Sequence, residues 1–238
     1  MAADTGVIPL SPAQLGVYFD QLQQENSSHY NIGQITTIDG QVDLQRFRAA
    51  AEQTIAANAA LNMSIRTVDD VPCQIFVDRK HTEVPYVDLR GRADIAEERQ
   101  RIIDGALWRP FDLEHEPLFR WVLIQTRDNE LNWLQVYHHI IVDGWSRALI
   151  AQRLSGYYTA HSPAIIRSDP LAEYTEHLRS ESEYQQSARH DKDKAYWQKI
   201  LSCAEIVSRS DTVVTAQPSD PLPAVPFSRQ GLLIEGPL

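Results

Sequence analysis

Tyr137-His138-His139-Ile140-Ile141-Val142-Asp143-Gly144-Trp145-Ser146 is the stretch on which the fold and function of this chain turn. The residues leading into it alternate as a half-buried strand does. Trp133, Tyr137 and His139 fall on one face, and Leu134, Val136 and His138 on the other. The two histidines therefore point in opposite directions, one toward a core and one toward an open surface. Gly144 after Asp143 admits an unusual backbone path and the close approach of a ligand. A helix predicted from about Trp145 brings its free amide groups and positive dipole end to the same turn. Imidazole titrates near neutral pH, so a strand-end histidine beside such a turn is a candidate general base. A purely structural histidine pair beside an ordinary Asp-Gly turn is the competing reading.

Working outward, a strand from Leu118 to Gln125 precedes this one, joined through the polar turn Arg127-Asp128-Asn129-Glu130. The helix after the motif extends to Tyr158, with Ala148, Leu149, Ala151 and Leu154 facing inward. Near the start, Ser11 caps a helix whose first turn holds Pro12; Leu15, Tyr18, Phe19 and Leu22 form its apolar stripe. A strand from Ile32 to Ile38 follows, then a helix from Asp43 that buries Leu44, Phe47, Ala51 and Ile55. Leu61–Val68 and Pro72–Val77 read as a hairpin turning at Asp69-Asp70, and Asp94–Trp108 as a helix stopped before Pro110. One long helix is predicted from Pro170 to Leu201. Beyond Cys203 the composition shifts to Ser, Thr, Asp and Pro, as in a linker, and Gly231-Leu232-Leu233-Ile234 reads as the start of a strand. Helices mixed with antiparallel hairpins indicate an α+β class, a mixed α/β sandwich.

Composition bounds the function. The 238 residues are 43% hydrophobic and 23% charged, with a net charge of -10. That is enough apolar material for a sizeable core. The acidic balance argues against a nucleic-acid groove or an anionic membrane surface as partner. No apolar run approaches a membrane span, and the first ten residues lack a signal-peptide layout. Cys73 and Cys203 lie far apart without metal-type spacing, so neither a disulfide framework nor a bound metal is expected. A cytoplasmic location is the expectation.

His138-His139-Ile140-Ile141-Val142-Asp143-Gly144 resembles the HHxxxDG signature of condensation domains of nonribosomal peptide synthetases, within the chloramphenicol-acetyltransferase-like superfamily. Leu10-Ser11-Pro12-Ala13-Gln14-Leu15 is similar to their opening SxAQ motif. Asp193-Lys194-Ala195-Tyr196-Trp197 is similar to the D-x-x-YW segment that closes their first lobe. The resemblance runs along nearly the whole chain. It implies two lobes in a V with a tunnel between them, of which residues 1–207 make the N-terminal lobe, 208–230 an inter-lobe linker and 231–238 the start of a second-lobe strand. A missing C-terminal lobe is then a partner of this one.

The resemblance also implies an activity: an amide bond formed between a thioester-bound acyl or aminoacyl donor and the amine of a carrier-bound acceptor. Donor and acceptor carrier proteins present phosphopantetheine arms, or acyl-CoA serves as donor, as substrates in trans rather than bound cofactors. His139 is implied to orient or deprotonate the attacking amine or to steady its developing charge. His138, Asp143 and Gly144 are implied to support the loop, Asp143 by pairing with an arginine, Gly144 by leaving room or offering its amide to the oxyanion. The second family motif, HExLR, corresponds here to Asn58-Ala59-Ala60-Leu61-Asn62, so the usual arginine is Asn62. Arg66, on the same strand face by period two, is the expected substitute partner of Asp143. Motifs close to Met1 suggest a domain that opens its polypeptide, either a starter domain or one loaded in trans. The alternatives are an ester-forming acyltransferase using CoA or carrier thioesters, an epimerisation domain, disfavoured by Arg147 after Ser146, and a non-catalytic half-domain that binds carrier proteins.

Overall fold

The computed structural model describes residues 7–24, 26–77, 79, 82–160 and 170–203. The expected linker at 208–230 and strand at 231–238 lie outside them. Two units are separable, Met1–Gln185 and Gln186–Leu238.

In the first unit, β1 (Val7–Pro9) leads into α1 (Pro12–Gln23), β2 (Asn31–Asp39), α2 (Leu44–Ala56), β3 (Met63–Val68) and β4 (Val71–Phe76). There follow β5 (Tyr86–Asp88), α3 (Ile95–Leu107), β6 (Phe119–Arg127), β7 (Glu130–His138), α4 (Gly144–Thr159) and α5 (Pro170–Gln185). The strands form a three-stranded sheet in the order β1-β4-β3 and a four-stranded sheet in the order β2-β7-β6-β5. Every pairing is antiparallel except β5 with β6. That pair is parallel because α3 carries the chain across between them.

Each turn has a local cause. Asp69 and Asp70 both take positive φ, 50° and 63°, the backbone that matches the twist of a two-residue hairpin. Asp128-Asn129 joins β6 to β7, and the ladder slips between Gln125 and Arg127. Asp43 caps α2 by accepting from the Arg46 amide at 3.0 Å. Ser11 caps α1 in a reciprocal box: its hydroxyl accepts from the Gln14 amide while Gln14 Oε1 accepts from the Ser11 amide at 2.9 Å.

The four-stranded sheet is covered on both sides. Gly33 and Val136 pair on the side of α3, where a Cβ on Gly33 would come within 2.9 Å of Leu107. On the opposite side Phe47 of α2 meets Trp133 edge-on at 5.7 Å, and α4 closes over α2 through Tyr158. β7 is the central strand, buried along nearly all its length. The motif therefore leaves the end of a buried interior strand.

Three expectations change. The predicted helix over 170–201 is two, α5 and α6 (Ala188–Cys203). Ser187 starts the second, its hydroxyl accepting from the His190 amide at 3.2 Å. On α4 the buried residues are Ile150 and Leu154, whereas Leu149 faces outward beside Trp145, which is 75% exposed. On α1 the buried side chain is Gln14, while Phe19 and Leu22 are exposed.

Candidate active site

β7 ends at His138, and the chain reverses before α4 begins at Gly144. The alternation expected across the histidines holds. His138 is 1% exposed and His139 faces solvent.

The buried ring is fully engaged. His138 Nδ1 accepts from the Ile140 amide at 3.2 Å, so the ring proton sits on Nε2, 3.4 Å from Gln21 Oε1 on α1. Tyr30 and Phe111 pack on it, each with ring centroids 6.0 Å away. Burial, then the charges of His139 and Arg120, pull its pKa down to about 4, so it is neutral at ordinary pH.

His139 carries the opposite tautomer. Its Nδ1 lies 2.9 Å from the Val142 carbonyl oxygen, which can only accept, so Nδ1 holds a proton, and in the neutral ring the lone pair is on Nε2. Its backbone amide donates to the Tyr30 carbonyl at 2.8 Å, which continues the β2 pairing one residue past β7.

Asp143 caps α4. It accepts from the Ser146 amide at 2.7 Å and from the Ser146 hydroxyl at 2.6 Å, and these bonds hold its carboxyl below the usual range. The expected arginine partner is not there. Arg66 lies exposed on β3 and forms no ion pair with Asp143, because an N-cap aspartate at the surface is satisfied by amide and hydroxyl donors and leaves no buried charge to neutralise. Asn62 instead finishes the α2 turn, donating to Ile55 O at 2.8 Å and Asn58 O at 2.9 Å. Gly144 opens α4 with nothing within 4 Å of an added Cβ, leaving open space in front of the helix N-terminus.

Several supporting residues were not singled out for this site from sequence. Gln21 and Tyr30 hold the histidines, and Gln14 reaches Ile140. Arg120 stacks over Phe111 at 3.6 Å and donates to the carbonyls of Ala106, Arg109 and Pro110 and to Glu116. Gln14 carried the S-x-x-Q spacing of a capping box as well as its place in the SxAQ-like opening; the others come from parts of the chain that only the tertiary fold brings together. Among the described residues no group of His, Cys, Asp and Glu is arranged to hold a metal ion, and no helix is long and apolar enough to cross a membrane.

A family model described as "Condensation domain" matches residues 4–211. Chondramide synthase cmdD of Chondromyces crocatus is 29% identical over 82% of this chain, which spans 5% of that protein. The solved starter condensation domain of rhizomide synthetase RzmA superposes with a TM-score of 0.71 at 32% identity, over 81% of this chain and 47% of that one. A mutant of that domain, solved in complex with C8-CoA and Leu-SNAC, gives 0.76 at 30% identity, over 83% and 46%. The chain thus spans about half the length of these solved domains and a small fraction of the chondramide synthase.

Proposed function

The chain belongs to the condensation-domain family, and on that basis we propose that it forms the N-terminal part of a two-lobed domain making amide bonds in a nonribosomal peptide synthetase. The donor is an acyl or aminoacyl thioester, on a carrier protein's phosphopantetheine arm or on CoA. The acceptor is the amine of a second carrier-bound residue.

The observation that carries this reading is the placing of His139: Nδ1 is tied to the Val142 carbonyl, which leaves Nε2 as the basic nitrogen of the neutral ring, and the residue is exposed at the end of β7. Nε2 accepts the N–H of the attacking amine, which aims the amine lone pair at the thioester carbonyl. As the C–N bond forms, the proton passes to Nε2, the carbonyl oxygen takes up negative charge and the C–S bond breaks. The proton then neutralises the departing thiolate, so one amide and one thiol replace one amine and one thioester. General-base help of this kind is worth roughly 10²–10⁴-fold, and alignment of the two arms contributes on a similar scale or more. His138, neutral and buried, serves to fix the loop. Asp143 organises the first turn of α4, and Gly144 leaves room in front of it.

The test joins these residues to the C-terminal lobe of a condensation domain, as a fusion or in trans, and supplies an acyl thioester with aminoacyl and hydroxyacyl carrier-protein acceptors. Mass spectrometry of the carrier arms is expected to show amide product. Ester product alone would move the reading to the ester-forming acyltransferase, and no product with either acceptor would favour the carrier-binding half-domain.

A further inference from the structure

α1 presents two glutamines seven residues apart, on one helical face, to the two neighbours of His139. Gln21 Oε1 meets His138 Nε2 at 3.4 Å, and Gln14 Nε2 lies 3.3 Å from the Ile140 carbonyl. Each is held in turn. Gln21 Nε2 donates to the carbonyls of Gln24 and Ser27, both at 3.2 Å, which fixes its oxygen toward the histidine. Gln14 Oε1 accepts from the Ser11 amide at 2.9 Å, which turns its amino group into the core. There the amino group meets Gln74 Oε1 at 3.4 Å, the Tyr174 hydroxyl at 3.3 Å and Met63 Sδ at 3.6 Å as well as Ile140. Gln14 is only 8% exposed on a helix whose Phe19 and Leu22 lie outside, and these bonds offset the cost of burying its amide.

We infer that α1 is the positioning element of the site, with Gln14 and Gln21 clamping the residues on either side of His139. His138 is then held through its ring and Ile140 through its carbonyl, while the amides of His138 and His139 are held by the Leu118 and Tyr30 carbonyls. That geometry keeps the ring where Nδ1 meets the Val142 carbonyl. Both glutamines are positioning residues. The catalytic meaning of the clamp rests on the role proposed for His139.

The tautomer of His139 reads the clamp without reference to turnover. Long-range proton–nitrogen correlation spectra of the ¹⁵N-histidine-labelled chain are expected to show His139 as the Nδ1–H form. In Gln14→Met and in Gln21→Met the Nδ1–H share should fall at least about twofold, since the partner of the ring sets its tautomer. Tyr174→Phe disturbs the same polar cluster without touching the motif and should leave the His139 signal as it was. Should Gln14→Met not fold, Gln21→Met, at a half-buried helix position, decides alone. A folded Gln21→Met chain with the original tautomer, or an equal shift in Tyr174→Phe, overturns the clamp. In the two-lobed enzyme both methionine variants should lower kcat about tenfold with KM within about twofold, the pattern of a lost transition-state interaction. A tautomer shift with kcat unchanged would instead leave the clamp standing and remove His139 from the chemistry.

Discussion

His138 and His139 are adjacent and hold opposite tautomers. His138 receives the Ile140 amide on Nδ1 and carries its proton on Nε2, while His139 gives its Nδ1 proton to the Val142 carbonyl and keeps Nε2 as an acceptor. The division follows from the strand. Period two sends one ring into the packing around Phe111 and Tyr30 and the other to the surface. A buried neutral imidazole supports an exposed one whose Nδ1 is tied to the loop.

The buried ring makes stability depend on pH. His138 has a folded pKa near 4, below the value of about 6.5 for an unperturbed histidine, so between those limits the unfolded chain binds more protons. Stability therefore rises with pH through this window and is lost as pH falls from about 6.5 toward 4, by up to about 1.4 kcal/mol per pH unit. Denaturant melts of the chain at pH 7, 6 and 5 should show this slope, and a folded His138→Asn variant should show less of it.

Asp143 acts through its cap. Asp143→Ala removes the acceptor for the Ser146 amide and should cost about 1 kcal/mol, whereas Asp143→Asn or Asp143→Ser should keep most of it. Arg66→Ala, at an exposed position with no bond to Asp143, should change stability by less than about 0.5 kcal/mol. Chemical denaturation of the three Asp143 variants and Arg66→Ala checks both statements. A large Arg66 effect matched by Asp143→Ala would restore the ion pair expected from sequence.

Arg120 links α3 to the histidine. Its guanidinium holds the carbonyls of Arg109 and Pro110, each at 2.7 Å, and covers Phe111, which packs on His138. Arg120→Met would take this donor from the Pro110 carbonyl, while the Arg109 carbonyl keeps the Asn31 side-chain amide at 2.9 Å, and should cost about 1–3 kcal/mol. It also removes a positive neighbour of His138, so the pKa of that ring should rise and the acid-sensitive window narrow. Nuclear magnetic resonance titration of His138 in the variant measures the shift.

Much of this is legible in the chain. The alternation through Tyr137 and the Asp143-Gly144 turn predict a strand, turn and helix where β7 and α4 stand, and Asp69-Asp70 predicts the hairpin. β1 and β5, three residues each, are too short to show a period. The buried face of α4 differs from the expected one because Trp145, Leu149, Ile150 and Leu154 put apolar residues on more than one side, and periodicity cannot choose between two such faces. The strand alternation separates the histidines without saying which is buried. Register supplies that, by pairing His138 with Asn31 beneath α3. The Arg66 pairing fails for a different reason: the resemblance implies an arginine partner for the motif aspartate, whereas the Ser146 amide and hydroxyl at the N-terminus of α4 already satisfy this one.

The central claim is that Nε2 of His139 receives the proton of the attacking amine. Single-turnover amide formation, by these residues joined to a C-terminal lobe, tests it most directly when wild type is compared with His139→Ala. The account predicts a fall of roughly 10²–10⁴-fold in the amide-forming step. Thermal stability should stay nearly unchanged, because the ring is exposed and makes one bond to Val142. Amide formation by His139→Ala within about twofold of wild type, in a folded protein, would contradict it.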